Sequence, residues 1–163
     1  MTQDALPADN RLLEELTTAL SAEEDIAVSY ARQLPEKDSG EIEKYTRQFN
    51  YPEESCVKGK GQLPEMGIKT YFCSNVCAAY KKEVFRKLGG FERHVNFNED
   101  MLFAAKAVQA GWKIAYCAGA KVYHCHNYTC AEQFHRNFDN GVSQAQHPEV
   151  FKGLPPSRRG LSW

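Results

Sequence analysis

The sequence predicts an α/β fold in one domain, on three observations. Short β-prone runs alternate with amphipathic helical stretches. Helix start and stop residues bracket most of those stretches. A length of 163 residues is enough for one core and short for two.

The elements follow in order. Residues 9–20 read as a helix, with Asp9 as N-cap and Leu12, Leu13, Leu16 and Leu20 at helical spacing. Residues 25–31 are short and β-prone, a buried strand closed by Pro35. A second helix fits 39–49, with Ile42, Tyr45 and Phe49 on one face and Asp38 and Glu41 at capping-box spacing. Pro52, Gly59, Gly61, Pro64 and Gly67 break any period over 50–68, where Lys58 and Lys60 alternate with glycine. That stretch reads either as a functional loop or as a solvated link. Thr70 to Tyr80 reads as extended. Residues 81–88 predict a short helix with Val84, Phe85 and Leu88 inward and Gly89 at its left-handed end. The strongest helix is 98–110: Asn98 can cap it, Met101, Ala104, Ala105 and Val108 share a face, and Gly111 stops it. Two β-prone runs follow, 113–117 and 121–124. Thr129 and Glu132 then form a capping box for a helix to about Val142. The expected domain is 1–146, with an irregular tail over 147–163 that carries Pro155, Pro156, Arg158 and Arg159.

Composition removes several functions. Twenty basic against 21 acidic side chains leave a net charge of −1, so no basic field exists for nucleic acid. No apolar run is long enough for a bilayer-spanning helix. Met1-Thr2-Gln3-Asp4 does not read as a secretory signal, so the six cysteines are expected as reduced thiols.

Three constellations could carry chemistry. Asn98-Glu99-Asp100 puts two acids at a helix start. The macrodipole there favours each by about 0.3–1 kcal/mol, a structural role, and the same field keeps a carboxylate ready to act as general base. In Tyr123-His124-Cys125-His126-Asn127, the period of two puts His124 and His126 on one face, where they could hold a divalent ion or simply pack. Thr2-Gln3-Asp4 offers one acid before a helix, ordinarily a turn or cap. Cys73 with Cys77 and Cys125 with Cys130 invite a zinc-binding interaction domain. Their spacing lacks the paired pattern of structural zinc sites, and buried free thiols account for them better.

These fragments together resemble one family. The run Phe72-Cys73-Ser74-Asn75-Val76-Cys77-Ala78-Ala79-Tyr80-Lys81-Lys82, then Leu88-Gly89-Gly90-Phe91-Glu92, then Asn98-Glu99-Asp100, is similar to glycosyltransferase family 2, in its bacterial rhamnosyltransferase-like branch. That branch has similar stretches to Val122–Thr129 and Arg136–Val142, so the resemblance covers about residues 1–143. It implies the C-terminal, catalytic and acceptor-side portion of a GT-A, Rossmann-like nucleotide-diphospho-sugar transferase fold. The first nucleotide-binding strands are missing from it, which makes the chain an N-terminally truncated domain.

The resemblance also implies roles. Asp100 falls on the catalytic base and Glu99 supports it. Asp4 falls on the last acid of a metal-binding Asp-x-Asp motif, with Thr2 in place of the first. A second ligand for Mg²⁺ or Mn²⁺ is therefore expected from His124 or His126. Gln133 and Arg136 keep the spacing of a Gln-x-x-Arg-Trp element near the donor diphosphate, with Asn137 replacing the tryptophan. Asn75, Gly90 and Phe91 fall on the acceptor side. The implied reaction is inverting sugar transfer, rhamnose by resemblance, from a nucleotide-diphosphate donor to a saccharide or lipid-linked acceptor in cell-surface polysaccharide synthesis. The expected place is the cytoplasm, peripheral at the inner membrane face. The competing reading is a non-catalytic fragment that binds or complements. An exposed sheet edge would also make the chain marginally stable and prone to homo-oligomerise.

Overall fold

A computed structural model describes residues 1–95 and 97–155. The elements are β1 (Leu6–Pro7), α1 (Leu12–Ser21), β2 (Ile26–Leu34), α2 (Glu41–Asn50), β3 (Cys56–Lys58), α3 (Leu63–Met66), β4 (Ala78–Tyr80), α4 (Lys82–Lys87), α5 (Glu99–Gln109), β5 (Lys113–Tyr123), α6 (Cys130–Ala145) and α7 (Pro148–Phe151). They build the mixed α/β architecture that the alternation of helical and β-prone runs predicts.

One five-stranded sheet organises them, in the order β1-β5-β2-β4 with β3 also on β5. The two long strands, β2 and β5, are parallel neighbours. β4 lies antiparallel to β2, and β1 and β3 pair antiparallel with opposite ends of β5. β2 is buried on both faces, as its continuous apolar run requires. Leu12 and Leu16 of α1 cover one face with Ala31, Cys117, Ala120 and Val122. Met101, Ala104, Ala105 and Val108 of α5 cover the other with Val28, Tyr30, Ile114 and Tyr116. The sequence assigns both stripes, except that Leu13 is exposed.

β5 is one strand where the sequence suggests two short ones. Residues 118–120 form a bulge between the pairs Ala31↔Cys117 and Arg32↔Lys121. The bulge shifts the side-chain alternation. Ile114, Tyr116 and Ala118 face α5, whereas Ala120 and Val122 face α1.

Two further segments depart from the sequence reading. Residues 50–68 hold β3, α3 and 3-10 turns at Lys60–Gln62 and Gly67–Tyr71. Lys58 anchors them: it is 2% exposed, and its ammonium donates to Tyr30 Oη at 3.0 Å, to Lys69 O at 3.3 Å and to Phe72 O. Helix α2 is turned over. Ile42 and Tyr45 are exposed, and Glu43 is the buried residue. A buried ion pair with Arg47, at 2.7 Å, outweighs the apolar stripe because it meets polar groups at the sheet edge.

Caps mix agreement and difference. The Thr129–Glu132 box forms at the start of α6. The Asp38–Glu41 box does not, because Gly40 is the N-cap of α2. Asn98 holds the N-cap position of α5 at φ 66°, and its amide reaches Asn140 O at 3.4 Å instead of capping. Gly89 and Gly111 adopt the expected positive φ. The tail read as irregular from 147 opens with the turn of α7, and Val150, Phe151 and Leu154 pack on the core. Its Pro156, Arg158 and Arg159 lie outside the described residues.

Candidate active site at the carboxyl edge of the sheet

Parallel strands carry loops away from the same sheet edge, where α/β proteins collect ligand groups. β2 and β5 end together at Leu34↔Tyr123, so residues 35–38 and 124–127 leave side by side. β1 enters antiparallel at Leu6↔Tyr123. Continuing that register carries Asp4 alongside the segment after Tyr123, and the sequence alone gives no sign of this pairing.

His124 Nε2 lies 3.2 Å from Asp4 Oδ2. The His124 and His126 rings meet edge to face at 4.4 Å. Asp4, His124 and His126 each offer one ligand atom, and these atoms lie within 4.8 Å of one another. Carboxylate oxygen and imidazole nitrogen suit a hard or borderline divalent cation, so this donor set fits Mg²⁺ or Mn²⁺. His124 is buried, and burial, the Arg47 charge and His126 push its pKa down against the pull of Asp4. A hydrogen bond from the Thr2 side chain holds the Asp4 carboxyl below its usual range. Thr2 therefore supports the ionised form of Asp4. Cys125 points elsewhere: its sulfur meets Glu36 N at 2.8 Å and Ser39 Oγ at 3.1 Å. Among the described residues, the ligand cluster contains no cysteine.

The second centre sits at the start of α5. Asp100 Oδ2 accepts from Asn75 N at 3.0 Å, and its Oδ1 accepts from Met101 N at 2.8 Å. Glu99 Oε1 accepts from Asn75 Nδ2 at 3.1 Å. Burial pushes the Asp100 carboxyl up to about 6. The Asn75 N–H works against that rise and the Glu99 charge adds to it. A carboxylate with a pKa near working pH is suited to general-base chemistry.

A line of hydrogen bonds joins the two centres. His124 Nδ1 lies 3.0 Å from Gln33 Oε1, and Gln33 Nε2 donates to Ser74 Oγ at 2.8 Å. Ser74 precedes Asn75, which holds Asp100 and Glu99. Arg47 donates to Gln33 Oε1 at 2.6 Å and is fixed by Glu43 at 2.7 Å. The sequence reading does not select Gln33, Ser74, Glu43 or Arg47. The available signals are a glutamine ending an apolar strand and an acid–base pair at i, i+4.

The remaining candidates divide. Arg136 lies over the Tyr128 ring at 5.8 Å, and Tyr128 stacks on His126 at 5.0 Å, which brings Arg136 toward the ligand cluster. The Gln133 amide donates to Asn137 at 3.0 Å along α6. Gly90 and Phe91 have packing roles. Gly90 takes φ +71° after α4, and Phe91 joins Tyr80, Phe85 and Phe103 in an aromatic cluster. An open cleft of about 610 Å³ is lined by Leu6, Pro35, Glu36, Lys37, Asp38 and Tyr123. Neither Asp4 nor Asp100 lines it.

No protein-family profile matches the chain. Two curated proteins do. The O-antigen chain rhamnosyltransferase RfbN of Salmonella typhimurium is 47% identical over 150 residues, which is 92% of this chain and 48% of that protein. The O-antigen chain rhamnosyltransferase WbaN of Salmonella anatum is 45% identical over 150 residues, 92% of this chain and 47% of that protein. The chain spans about half the length of the curated relatives it matches. Over that shared half it is similar to the O-antigen chain rhamnosyltransferases.

Proposed function

We propose that the chain supplies the catalytic carboxylate and the metal ligands of an inverting glycosyltransferase of family 2 with a GT-A fold. The reaction moves a sugar, rhamnose by likeness to the relatives, from a nucleotide-diphosphate donor to a saccharide or lipid-linked hydroxyl in O-antigen-type polysaccharide synthesis. The observation that carries this reading is the line of contacts from Asp4 and His124 through Gln33 to Ser74, and along the backbone to Asn75, which donates to Asp100.

Asp100 takes the proton from the acceptor hydroxyl as that oxygen bonds to the anomeric carbon and the bond from that carbon to the diphosphate oxygen breaks. General-base help of this kind is worth about 10²–10⁴ in rate. Glu99 and Asn75 orient the base. Asp4, His124 and His126 would hold Mg²⁺ or Mn²⁺, which would supply charge neutralisation for the departing diphosphate. Arg136, over the Tyr128 ring that stacks on His126, serves the diphosphate in this reading, with Gln133 on the same helix. Asn75 serves the acceptor side, with Gly90 and Phe91 shaping its surroundings through Tyr80. Among the described residues no helix is long and apolar enough to cross a membrane.

A second reading is a non-catalytic module that complements the other half. The open cleft, lined by neither Asp4 nor Asp100, favours it. Calorimetric titration with nucleotide-diphospho-rhamnose in the presence of Mn²⁺ separates the two. Micromolar binding that is lost in Asp4→Ala supports the enzyme. Absence of donor binding by the folded chain supports the module.

A further inference from the structure

We propose that Gln33 is a positioning residue that fixes the tautomer of His124, so that Nε2 is the atom offered to a cation beside Asp4. This inference rests on the metal reading above and deepens it. Arg47 has only donors, and its Nη1 lies 2.6 Å from Gln33 Oε1, so that atom is the amide oxygen. The opposite amide orientation would set an NH₂ group against a guanidinium. The amide nitrogen is independently accounted for, because Gln33 Nε2 reaches both Tyr51 Oη and Ser74 Oγ. Glu43 holds Arg47 from behind at 2.7 Å, and Gln33, Glu43 and Tyr51 are all buried.

The rest follows from donor and acceptor chemistry. An amide oxygen only accepts, so His124 Nδ1, 3.0 Å away, must carry the hydrogen. Arg47 Nη2 lies 3.4 Å from the same nitrogen and is then a neighbour, not a partner. A neutral imidazole with hydrogen on Nδ1 has a bare lone pair on Nε2. That lone pair faces Asp4 Oδ2 at 3.2 Å. Two acceptors meeting head-on repel unless a proton or a metal cation lies between them, and at a pH where the ring is neutral that place falls to the metal. Metal-bound histidines commonly have the other ring nitrogen fixed in this way, and loss of the fixing group costs about 10–100-fold in metal affinity.

The test combines Mn²⁺ titration by electron paramagnetic resonance with histidine ¹⁵N NMR of the metal-free protein. Gln33→Met removes the acceptor, and Gln33→Glu keeps an acceptor oxygen for His124 and Arg47. Tyr51 and Ser74 can turn their hydroxyl hydrogens toward the new carboxylate. The expected results are His124 with hydrogen on Nδ1 in the wild type and in Gln33→Glu, and Mn²⁺ affinity within about threefold between them. Gln33→Met weakens Mn²⁺ about 10–100-fold and releases the tautomer. If Gln33→Met binds Mn²⁺ like the wild type while Asp4→Ala does not, the proposal is overturned and the metal reading stands. If the wild type binds no Mn²⁺, the metal reading fails, and the NMR tautomer still decides what Gln33 does. Hydrogen on Nε2 in the wild type overturns the proposal whatever the variants do, including a Gln33→Met that does not fold.

Discussion

Asp100→Asn should make the protein more stable at neutral pH while removing its chemistry. The folded carboxyl is raised from 3.8 to about 6. At about 1.4 kcal/mol per pH unit this is about 3 kcal/mol of burial cost carried by the ionised form. The sign follows from linkage: for an acid raised by folding, stability is fully present below 3.8 and is lost as pH rises through about 6. Asparagine resembles the protonated acid but accepts from only one of Asn75 N and Met101 N, a loss of about 1 kcal/mol or more. The expected net gain is about 1–2 kcal/mol at pH 7.5. For a domain of this size that is a rise in Tm of a few °C, at about 2–4 °C per kcal/mol. At pH 4.5 the gain should vanish, and titrations common to both proteins cancel in the comparison. Scanning calorimetry of both proteins at the two pH values measures this. An asparagine variant destabilised equally at both would show that Asp100 is a structural cap, and the reasoning would fail.

Three other outcomes are expected. Burial lowers the Lys58 ammonium from 10.5 to about 8, so the wild type gains stability as pH rises from 8 to 10.5. Relative to Lys58→Met in urea melts, that gain should reach up to about 3 kcal/mol, and a pH-independent difference would refute it. Gly90→Ala should cost about 1–2 kcal/mol, because φ is +71° and a Cβ would sit 3.2 Å from the Phe85 ring; an unchanged denaturation midpoint would contradict this. Glu43→Ala leaves Arg47 buried without its carboxylate and should cost about 3–5 kcal/mol in the same melts, whereas a loss below about 1 kcal/mol would show the pair to be solvated.

The sequence shows the elements whose driving force is local. The leucine stripe of α1, the alanine-rich face of α5 and the Thr129–Glu132 box all form from neighbours within a few residues. The motif order also picked out Asp4, Glu99, Asp100, His124 and His126, and these fall into two centres joined through Gln33 and Ser74. What stayed hidden depends on distant partners. Helix α2 turns its apolar stripe outward because Arg47 has an oxygen of Gln33 to meet, and no local period records that. Lys58 reads as a loop lysine until Tyr30 and the carbonyls of Lys69 and Phe72 surround it. The bulge at 118–120 splits one strand into two apparent runs, because it changes which face each side chain takes.

The most direct measurement is sugar transfer from nucleotide-diphospho-rhamnose by the wild type and by Asp100→Asn, with Mn²⁺ present and Mn²⁺ affinity followed in parallel. A loss of about 10²-fold or more with metal binding unchanged is the expected result, because only the proton acceptor has been removed. Transfer by the asparagine variant within about tenfold of the wild type would remove Asp100 as the base and contradict the account.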